Sequence, residues 1–108
     1  MIEQIHQNAL TISKNFKRSE IDLIEALEEV DRNRVYLHYG YNSLFKYTTD
    51  ALGLSEEVAY IFINVSRKVR QVPALKEEIK AGQITVSKAK KISSVLTAEN
   101  QSYWINLA

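Results

Sequence analysis

The chain of 108 residues has 14 basic and 13 acidic residues, a net charge of +1, a hydrophobic fraction of 45% and no cysteine. This length predicts one domain, the hydrophobic fraction is too high for a disordered chain, and the absence of cysteine excludes disulfides and thiolate metal sites. The longest apolar run, Val58–Ile63, is too short to span a bilayer, and the N-terminus lacks the basic and apolar segments of a signal peptide. We therefore expect a soluble cytoplasmic protein with no membrane partner.

The first third of the chain has the pattern of two helices. An amphipathic first helix is predicted by apolar residues at three- and four-residue spacing, namely Ile2, Ile5, Ala9, Ile12 and Phe16. We expect Lys17-Arg18-Ser19 to break this helix, and Ser19 with Asp22 to form the capped start of a second one. The second helix is expected to run to Tyr39 and to end at Gly40, with an apolar stripe of Leu23, Leu27, Val30, Arg34 and Leu37.

The middle of the chain, residues 43–71, predicts a helical hairpin. Ser43 and Ser55 can each cap a helix through the side-chain hydroxyl, and Gly53 between them can end the first helix in a left-handed conformation. The first helix is expected to reach Leu52, and the second to stop before Pro73. This pattern fits a helix-turn-helix and equally an αα-hairpin of another kind.

Further helices are predicted after Pro73, which suits the first position of a helix. That helix should end at Gly82, and Thr85 or Ser87 should cap the next, whose expected inward residues are Val86, Ala89, Ile92, Ser93 and Leu96. A last helix, capped by Thr97, would carry Tyr103, Trp104 and Leu107 and has no stop signal before Ala108. We expect an all-α, compact bundle of about six helices in one domain, residues 1–108, that forms the N-terminal part of a longer protein.

Charge is distributed unevenly along the chain. The charged residues from Glu20 to Asp31 are all acidic, whereas residues 66–91 are mostly basic. A basic half can attract a phosphate backbone, and the candidate nucleic-acid contacts are Arg67, Lys68, Arg70, Lys88, Lys90 and Lys91. The alternative is that these side chains are ordinary solvated helix faces.

The sequence offers no catalytic, cofactor-binding or metal-binding residue and no small-molecule site. His6 and His38 are far apart and lack helical ligand spacing, and the three glycines all have the positions of helix ends. Glu25, Glu28 and Glu29 are expected on a solvated face rather than in a catalytic pair. The tyrosines around Gly40 favour corner packing over stacking on bases.

Residues 23–92 carry several short motifs in a fixed order. An acidic helix ends in Asp31, Arg32, Arg34 and Tyr36, and is followed by Gly40, Tyr41, Ser43, Leu44, Phe45 and Tyr47. Next come Leu52, Gly53, Ser55, Glu56, Ala59 and Tyr60, and then Pro73, Gly82, Ile84, Thr85 and Ser87. With these motifs, residues 23–92 resemble the all-helical N-terminal region of bacterial HNH endonuclease family proteins. Residues 54–92 also resemble, more weakly, the helix-turn-helix of chromosome-partitioning-type DNA-binding proteins.

The resemblance implies a non-catalytic DNA-binding or DNA-targeting module associated with an HNH-type endonuclease. The nuclease motif of that family, with its histidines and metal-supported site, has no counterpart in these residues, so no catalysis is expected from this segment. Family members also carry two arginines where this chain has Ile61 and Phe62. The alternative function, of a different class, is a protein-interaction or dimerisation module that never contacts DNA.

The helix after Ser55 suggests where such a dimer could form. Val58, Ile61, Phe62, Val65 and Val69 form one stripe, and Ala59, Tyr60 and Ile63 lie outside it, so the first half of the helix is apolar nearly all round. A helix of this kind is buried centrally or shared with a partner. We therefore expect a homodimer contact at Tyr60, Ile61, Phe62 and Ile63, with complete coverage by flanking helices as the alternative.

Overall fold

The structure, a computed structural model, describes residues 1–93, and these form helices without any strand. The α-helices are α1 (Ile2–Asn33), α2 (Val35–His38), α3 (Leu44–Lys46), α4 (Glu56–Gln71), α5 (Pro73–Lys80) and α6 (Val86–Ile92), with a π-helix at Tyr47–Ala51 directly after α3. The predicted all-α class with about six helices is confirmed. The helix predicted from Thr97, with Tyr103, Trp104 and Leu107, lies outside the described residues, as does Leu96.

Three helices begin at the predicted caps. The hydroxyl oxygen of Ser43 accepts a hydrogen bond from the amide of Lys46 at 3.1 Å, and that of Ser55 accepts from Val58 at 3.2 Å. Thr85, rather than Ser87, caps α6 through the amide of Lys88 at 3.1 Å. Each such bond satisfies an amide that has no partner within its own helix. These boundaries follow from residues within one turn of each other.

The predicted break at Lys17-Arg18-Ser19 is wrong, because α1 is one continuous helix of 32 residues. Lysine and arginine are good helix formers, and a single serine costs a helix interior only a fraction of 1 kcal/mol, about 0.5. An i,i+4 pair of Arg18 Nε with Asp22 Oδ1, at 3.3 Å, spans the expected break. The proposed capping start at Ser19 is therefore absent.

The predicted end of the second helix, at Tyr39, is also wrong. Arg34 has φ 51° and ψ 41°, a left-handed conformation that ends α1 at Asn33, six residues earlier. The chain then makes the single turn of α2, whose Tyr36 packs against the core. Gly40, with φ 85°, follows this turn instead of closing a long helix.

The first helix of the predicted hairpin begins at Leu44 as expected but widens after one turn. Beyond α3 the amide of Leu52 donates to the carbonyl of Tyr47 at 3.1 Å, an i to i−5 bond. The hydroxyls of Thr48 and Thr49 donate to the carbonyls of Leu44 and Phe45 at 2.8 and 3.2 Å. Threonine hydroxyls that take up backbone carbonyls in this way loosen a helix. Gly53, with φ 71°, then turns the chain into α4.

α4 is the central element and contacts α1, α3, α5, α6 and the π-helix. Its buried residues are Ala59, Phe62, Ile63, Val65, Ser66 and Val69. Of the apolar stripe predicted for this helix, Phe62, Val65 and Val69 are therefore buried, whereas Val58 is exposed and Ile61 is only half-buried. The surrounding helices contribute Ile24, Leu27, Leu44, Leu75, Ile79, Val86 and Ala89 to the same core. None of the helices within residues 1–93 combines the length and apolar character that crossing a membrane requires.

α1 divides into two halves with different surroundings. Every residue from Met1 to Ser19 is exposed, whereas Ile24, Leu27 and Glu28 are buried against the other helices. At about 1.5 Å per residue the helix is about 48 Å long, close to the longest dimension of the molecule, 50 Å. We call residues 2–19 the arm and residues 20–93 the body.

Candidate functional site

Two of the predicted nucleic-acid contacts, Arg67 and Arg70, share the carboxylate of Asp31 near the end of α1. Arg67 Nε lies 3.0 Å from Asp31 Oδ2 and its Nη2 lies 3.4 Å from Oδ1, while Arg70 Nη1 lies 3.3 Å from Oδ2. The Asp31 side chain is only 12% exposed. The hydrogen bond to Asp31 raises the pKa of Arg67, so this guanidinium stays charged. The cluster joins α1 to α4.

This pairing leaves the two arginines able to bind an anion. Each guanidinium has five donors, and the bonds to Asp31 use two from Arg67 and one from Arg70. The side chains remain 53% and 41% exposed, so unused donors reach solvent. Two cations on one carboxylate also leave the cluster with a net charge of +1.

A second basic group reaches the same face of α4 from α6. Lys90 Nζ lies 4.8 Å from the centre of the Tyr60 ring, a cation–π contact. Tyr60 and Arg67 are seven residues apart on α4, so they share a face and lie about 10 Å apart along the helix axis. The contact therefore brings a lysine of α6 into line with the arginines of α4.

The remaining candidates lie on other faces of α4 and α6. Lys88 and Lys91 are exposed on α6, and within residues 1–93 neither forms an ion pair. Lys68 is about 100° around α4 from Arg67 and donates to Gln71 Oε1 at 3.3 Å, so it belongs to a different face. On α6, Lys91 lies about 100° and Lys88 about 160° around the helix from Lys90, so both point away from the Tyr60 contact. We call Arg67, Arg70 and Lys90 the basic surface.

The first turn of α4 bounds this surface with negative charge. Glu56 and Glu57 are both exposed there, where a recognition helix would meet the bases of DNA. Carboxylates at that position repel phosphates. The opposite side of α4 is core, so the hairpin of residues 43–71 does not present α4 as a free basic helix.

One residue expected on a solvated acidic face is buried. Glu28 is 8% exposed, and Lys76 Nζ of α5 lies 2.7 Å from its Oε1, a close ion pair that lacks the alignment of a hydrogen bond. Its position four residues after the buried Ile24 is the signal that sequence reasoning missed. Glu25 and Glu29 are exposed as predicted. Within the described residues no group of three or more possible ligands is placed to hold a metal ion.

The predicted self-association set is split by the structure. Phe62 and Ile63, at 8% and 6% exposure, belong to the core, so the flanking helices cover them and they cannot meet a second copy. Tyr60 is 57% exposed and carries Lys90 on its ring, and Ile61 is half-buried. A contact through α4 stays a prediction for these two residues alone.

The largest exposed apolar side chains lie instead on the arm. Ile2, Ile5, Ile12 and Phe16 are 84%, 62%, 58% and 63% exposed. Where the arm meets the body, Phe16 and Ile21 face Ile79, Ile84 and Val86 across an open groove of about 930 Å³. The sequence predicted the apolar stripe of this helix but not its exposure.

Comparison of the chain with protein-family models, with curated proteins and with solved structures finds no match.

Proposed function

We propose that the chain is a non-catalytic nucleic-acid-binding module that contacts phosphates through the basic surface of α4 and α6. The observation that carries the proposal is the position of Lys90 over Tyr60, because it joins this lysine of α6 and the arginines of α4 into one surface. Three cations on that surface, Arg67, Arg70 and Lys90, share one paired carboxylate, that of Asp31, and Glu56 and Glu57 lie at its border. Such an excess of positive charge attracts a phosphate backbone.

The proposed contact is with the backbone rather than with bases. Lysine and arginine side chains on a convex surface reach phosphate oxygens without entering a groove. Glu56 and Glu57 keep the start of α4 away from the duplex. We therefore expect weak binding that tolerates changes of DNA sequence and falls steeply with salt.

The wider role follows from the resemblance of residues 23–92 to the helical region of HNH endonuclease family proteins. In this role the module brings DNA to a nuclease domain and does no chemistry itself. We expect no cleavage of plasmid DNA by the purified chain with Mg²⁺, Mn²⁺ or Zn²⁺. Metal-dependent nicking that disappears in His38→Ala would contradict this part of the proposal.

Titration of a labelled DNA duplex at several salt concentrations tests the binding. Each phosphate contact contributes about 0.9 to the slope of log K against log salt concentration, so Arg70→Gln/Lys90→Gln should reduce the slope by nearly two. The matched control is Lys14→Gln/Lys17→Gln, which removes the same charge from the arm and should leave the slope unchanged. Absence of binding at low salt, or equal loss in both variants, would contradict the proposal.

A further inference from the structure

The apolar stripe of α1 is continuous from the arm into the body. Phe16 is followed at helical spacing by Leu23, Leu27 and Val30, with steps of seven, four and three residues. Leu23 and Val30 pack against the core, and Leu27 is fully buried. Among residues 1–93, the same face that α4 and α5 cover in the body is therefore uncovered in the arm.

An arm of this kind is poorly stable alone. Isolated helices of about 12–15 residues are marginal in water, and the arm is only slightly longer, since residues 2–19 number 18. Its exposed isoleucines and phenylalanine would lose unfavourable contact with water if another helix lay on them. The arm thus has both the surface and the physical reason for pairing.

We propose that the arms of two copies of this chain pair antiparallel, with Ile5 opposite Phe16 and Ala9 opposite Ile12 across a two-fold axis. The seam residues 5, 9, 12 and 16 are separated by four, three and four positions, so reversal of the helix superimposes the pattern on itself. The axis then passes between Leu10 and Thr11. Each small alanine faces an isoleucine, and each isoleucine at position 5 faces a phenylalanine.

The sequence of the arm favours a second copy of the arm as the helix that covers its apolar face. Apolar residues at 2, 5, 9, 12 and 16 alternate steps of three and four, which is the seam of a coiled coil. The positions beside this seam hold no acidic, lysine or arginine side chain; they are His6, Asn8, Ser13 and Asn15. The charged residues Glu3, Lys14, Lys17 and Arg18 lie farther around the helix. Identical arms therefore approach without like-charge repulsion.

The body dictates the antiparallel orientation. A parallel partner helix on this face would continue past Ser19 into the space that α4 and α5 occupy against Leu23 and Leu27. An antiparallel partner instead ends near that point. Its first residues, Met1 and Ile2, then reach the groove between Phe16 and Ile84.

The dimer should be weak. Arms of 18 residues form a contact about 27 Å long that is only one helical seam wide. We expect so narrow a contact to bury less than the roughly 1,200 Å² in total that marks the lower limit of standard stable interfaces. Sedimentation velocity of the 108-residue chain should therefore show an average mass near 12.4 kDa at low micromolar concentration, rising toward twice that value as the concentration approaches about 1 mM.

Paired substitutions test the seam. Ile5→Asp/Ile12→Asp should abolish the rise in mass while leaving the melting of the body unchanged. The control, Gln4→Asp/Thr11→Asp, places the same charges at the same spacing about 100° around the helix, outside the seam, and should retain the rise. A wild-type monomer up to about 1 mM would overturn the proposal, as would a lowered melting temperature of a monomeric seam variant, which would show that the arm packs within its own chain.

Engineered thiols test the register, because the natural chain has no cysteine. A mixture of Ile5→Cys and Phe16→Cys chains should form a disulfide-linked heterodimer under mild oxidation, and each variant alone should form far less. A parallel pair would instead cross-link each variant with itself, and that result would overturn the antiparallel assignment. The DNA titration at low micromolar protein uses another surface, so failure of one proposal leaves the other intact.

Discussion

The two halves of α1 have the same helical pattern and opposite surroundings. In the body half Ile24 is 1% exposed and Leu27 is fully buried, whereas in the arm Ile5 and Ile12 are 62% and 58% exposed. The helix is continuous between the two halves, and Leu27 lies on the same helical stripe as Ile5 and Ile12. In the part of the chain that the structure describes, the difference is that α4 and α5 cover one half of α1 and no helix covers the other.

This contrast shows what amphipathic periodicity measures. The spacing of apolar residues identifies the face that gains from burial, at about 25 cal/mol per Å² removed from water. It does not show whether that face is covered by the same chain. The acidic residue Glu28 makes the same point, because a glutamate on the edge of the apolar face became buried where α5 supplied Lys76.

Truncation of one apolar side chain to alanine in each half of α1 should give the largest difference in the free energy of unfolding. We expect Leu27→Ala to lower the free energy of unfolding by about 2–5 kcal/mol, since it leaves a cavity in the core. Ile12→Ala should change it by less than about 0.5 kcal/mol, because the side chain is exposed. Urea denaturation at low micromolar protein measures both. Equal losses would show that the arm is packed as tightly as the body.

Ion pairs sharpen the same comparison. Lys76→Met should cost about 2–4 kcal/mol, because it leaves the carboxylate of Glu28 buried without a cation. Arg18→Met removes the exposed ion pair that Arg18 of the arm forms with Asp22, and it should lower the free energy of unfolding by no more than about 0.5 kcal/mol.

The double variant Glu28→Gln/Lys76→Met should recover most of the stability lost in Lys76→Met, since no unpaired charge then remains. Thermal or urea unfolding of the three variants gives the free energies. A Lys76→Met protein as stable as the wild type would mean that Glu28 is solvated after all.

The last turn of α1 links stability to the basic surface. Asp31→Asn should cost about 1–2 kcal/mol, since it weakens three hydrogen bonds to Arg67 and Arg70. The same change removes the carboxylate that offsets these arginines, so DNA affinity at low salt should rise. Glu29→Gln, which removes a carboxylate 4.0 Å from Arg32, is the control and should change stability little. A fall in DNA affinity in Asp31→Asn would show that Asp31 positions the arginines for binding.

A substitution at Glu20, where the arm meets the body, should have the smallest effect on the free energy of unfolding. Partial burial raises the pKa of Glu20, so its ionised form is slightly disfavoured in the folded state. This contribution opposes folding once the group is ionised and vanishes as the pH falls below 4.5, the ordinary pKa of a glutamate. Glu20→Gln should therefore be slightly more stable than wild type at pH 7 and equal to it near pH 3. An advantage for glutamine that grows at low pH would contradict this cause.

Local features of the fold, such as helix starts, could be predicted from the sequence because the hydrogen-bonding groups that form them lie within one turn of each other. Ser43, Ser55 and Thr85 each bond an amide three residues ahead, and Pro73 needs only its own ring to begin α5. The failures were at positions where local preferences were weak. The segment Lys17-Arg18-Ser19 has no strong preference for breaking or continuing a helix. Arginine rarely adopts the left-handed conformation, so the sequence did not predict the turn at Arg34.

The candidate site was only partly visible from the sequence. Runs of lysine and arginine predicted which residues carry charge, and all six candidates lie on α4 or α6 as expected. Their grouping depended on contacts that no local spacing encodes, since Asp31 and Arg67 are 36 residues apart and Tyr60 and Lys90 are 30.

The sequence by itself determined that the chain is helical, where most helices begin and which face of each is apolar. These properties depend on backbone hydrogen bonds and side-chain spacing over three or four residues. Only the tertiary structure decided which apolar faces are covered, which charges are paired and that half of α1 stands free of the body. Coverage and pairing depend on side chains from distant parts of the chain, whose meeting is set by the packing of whole helices rather than by any local pattern.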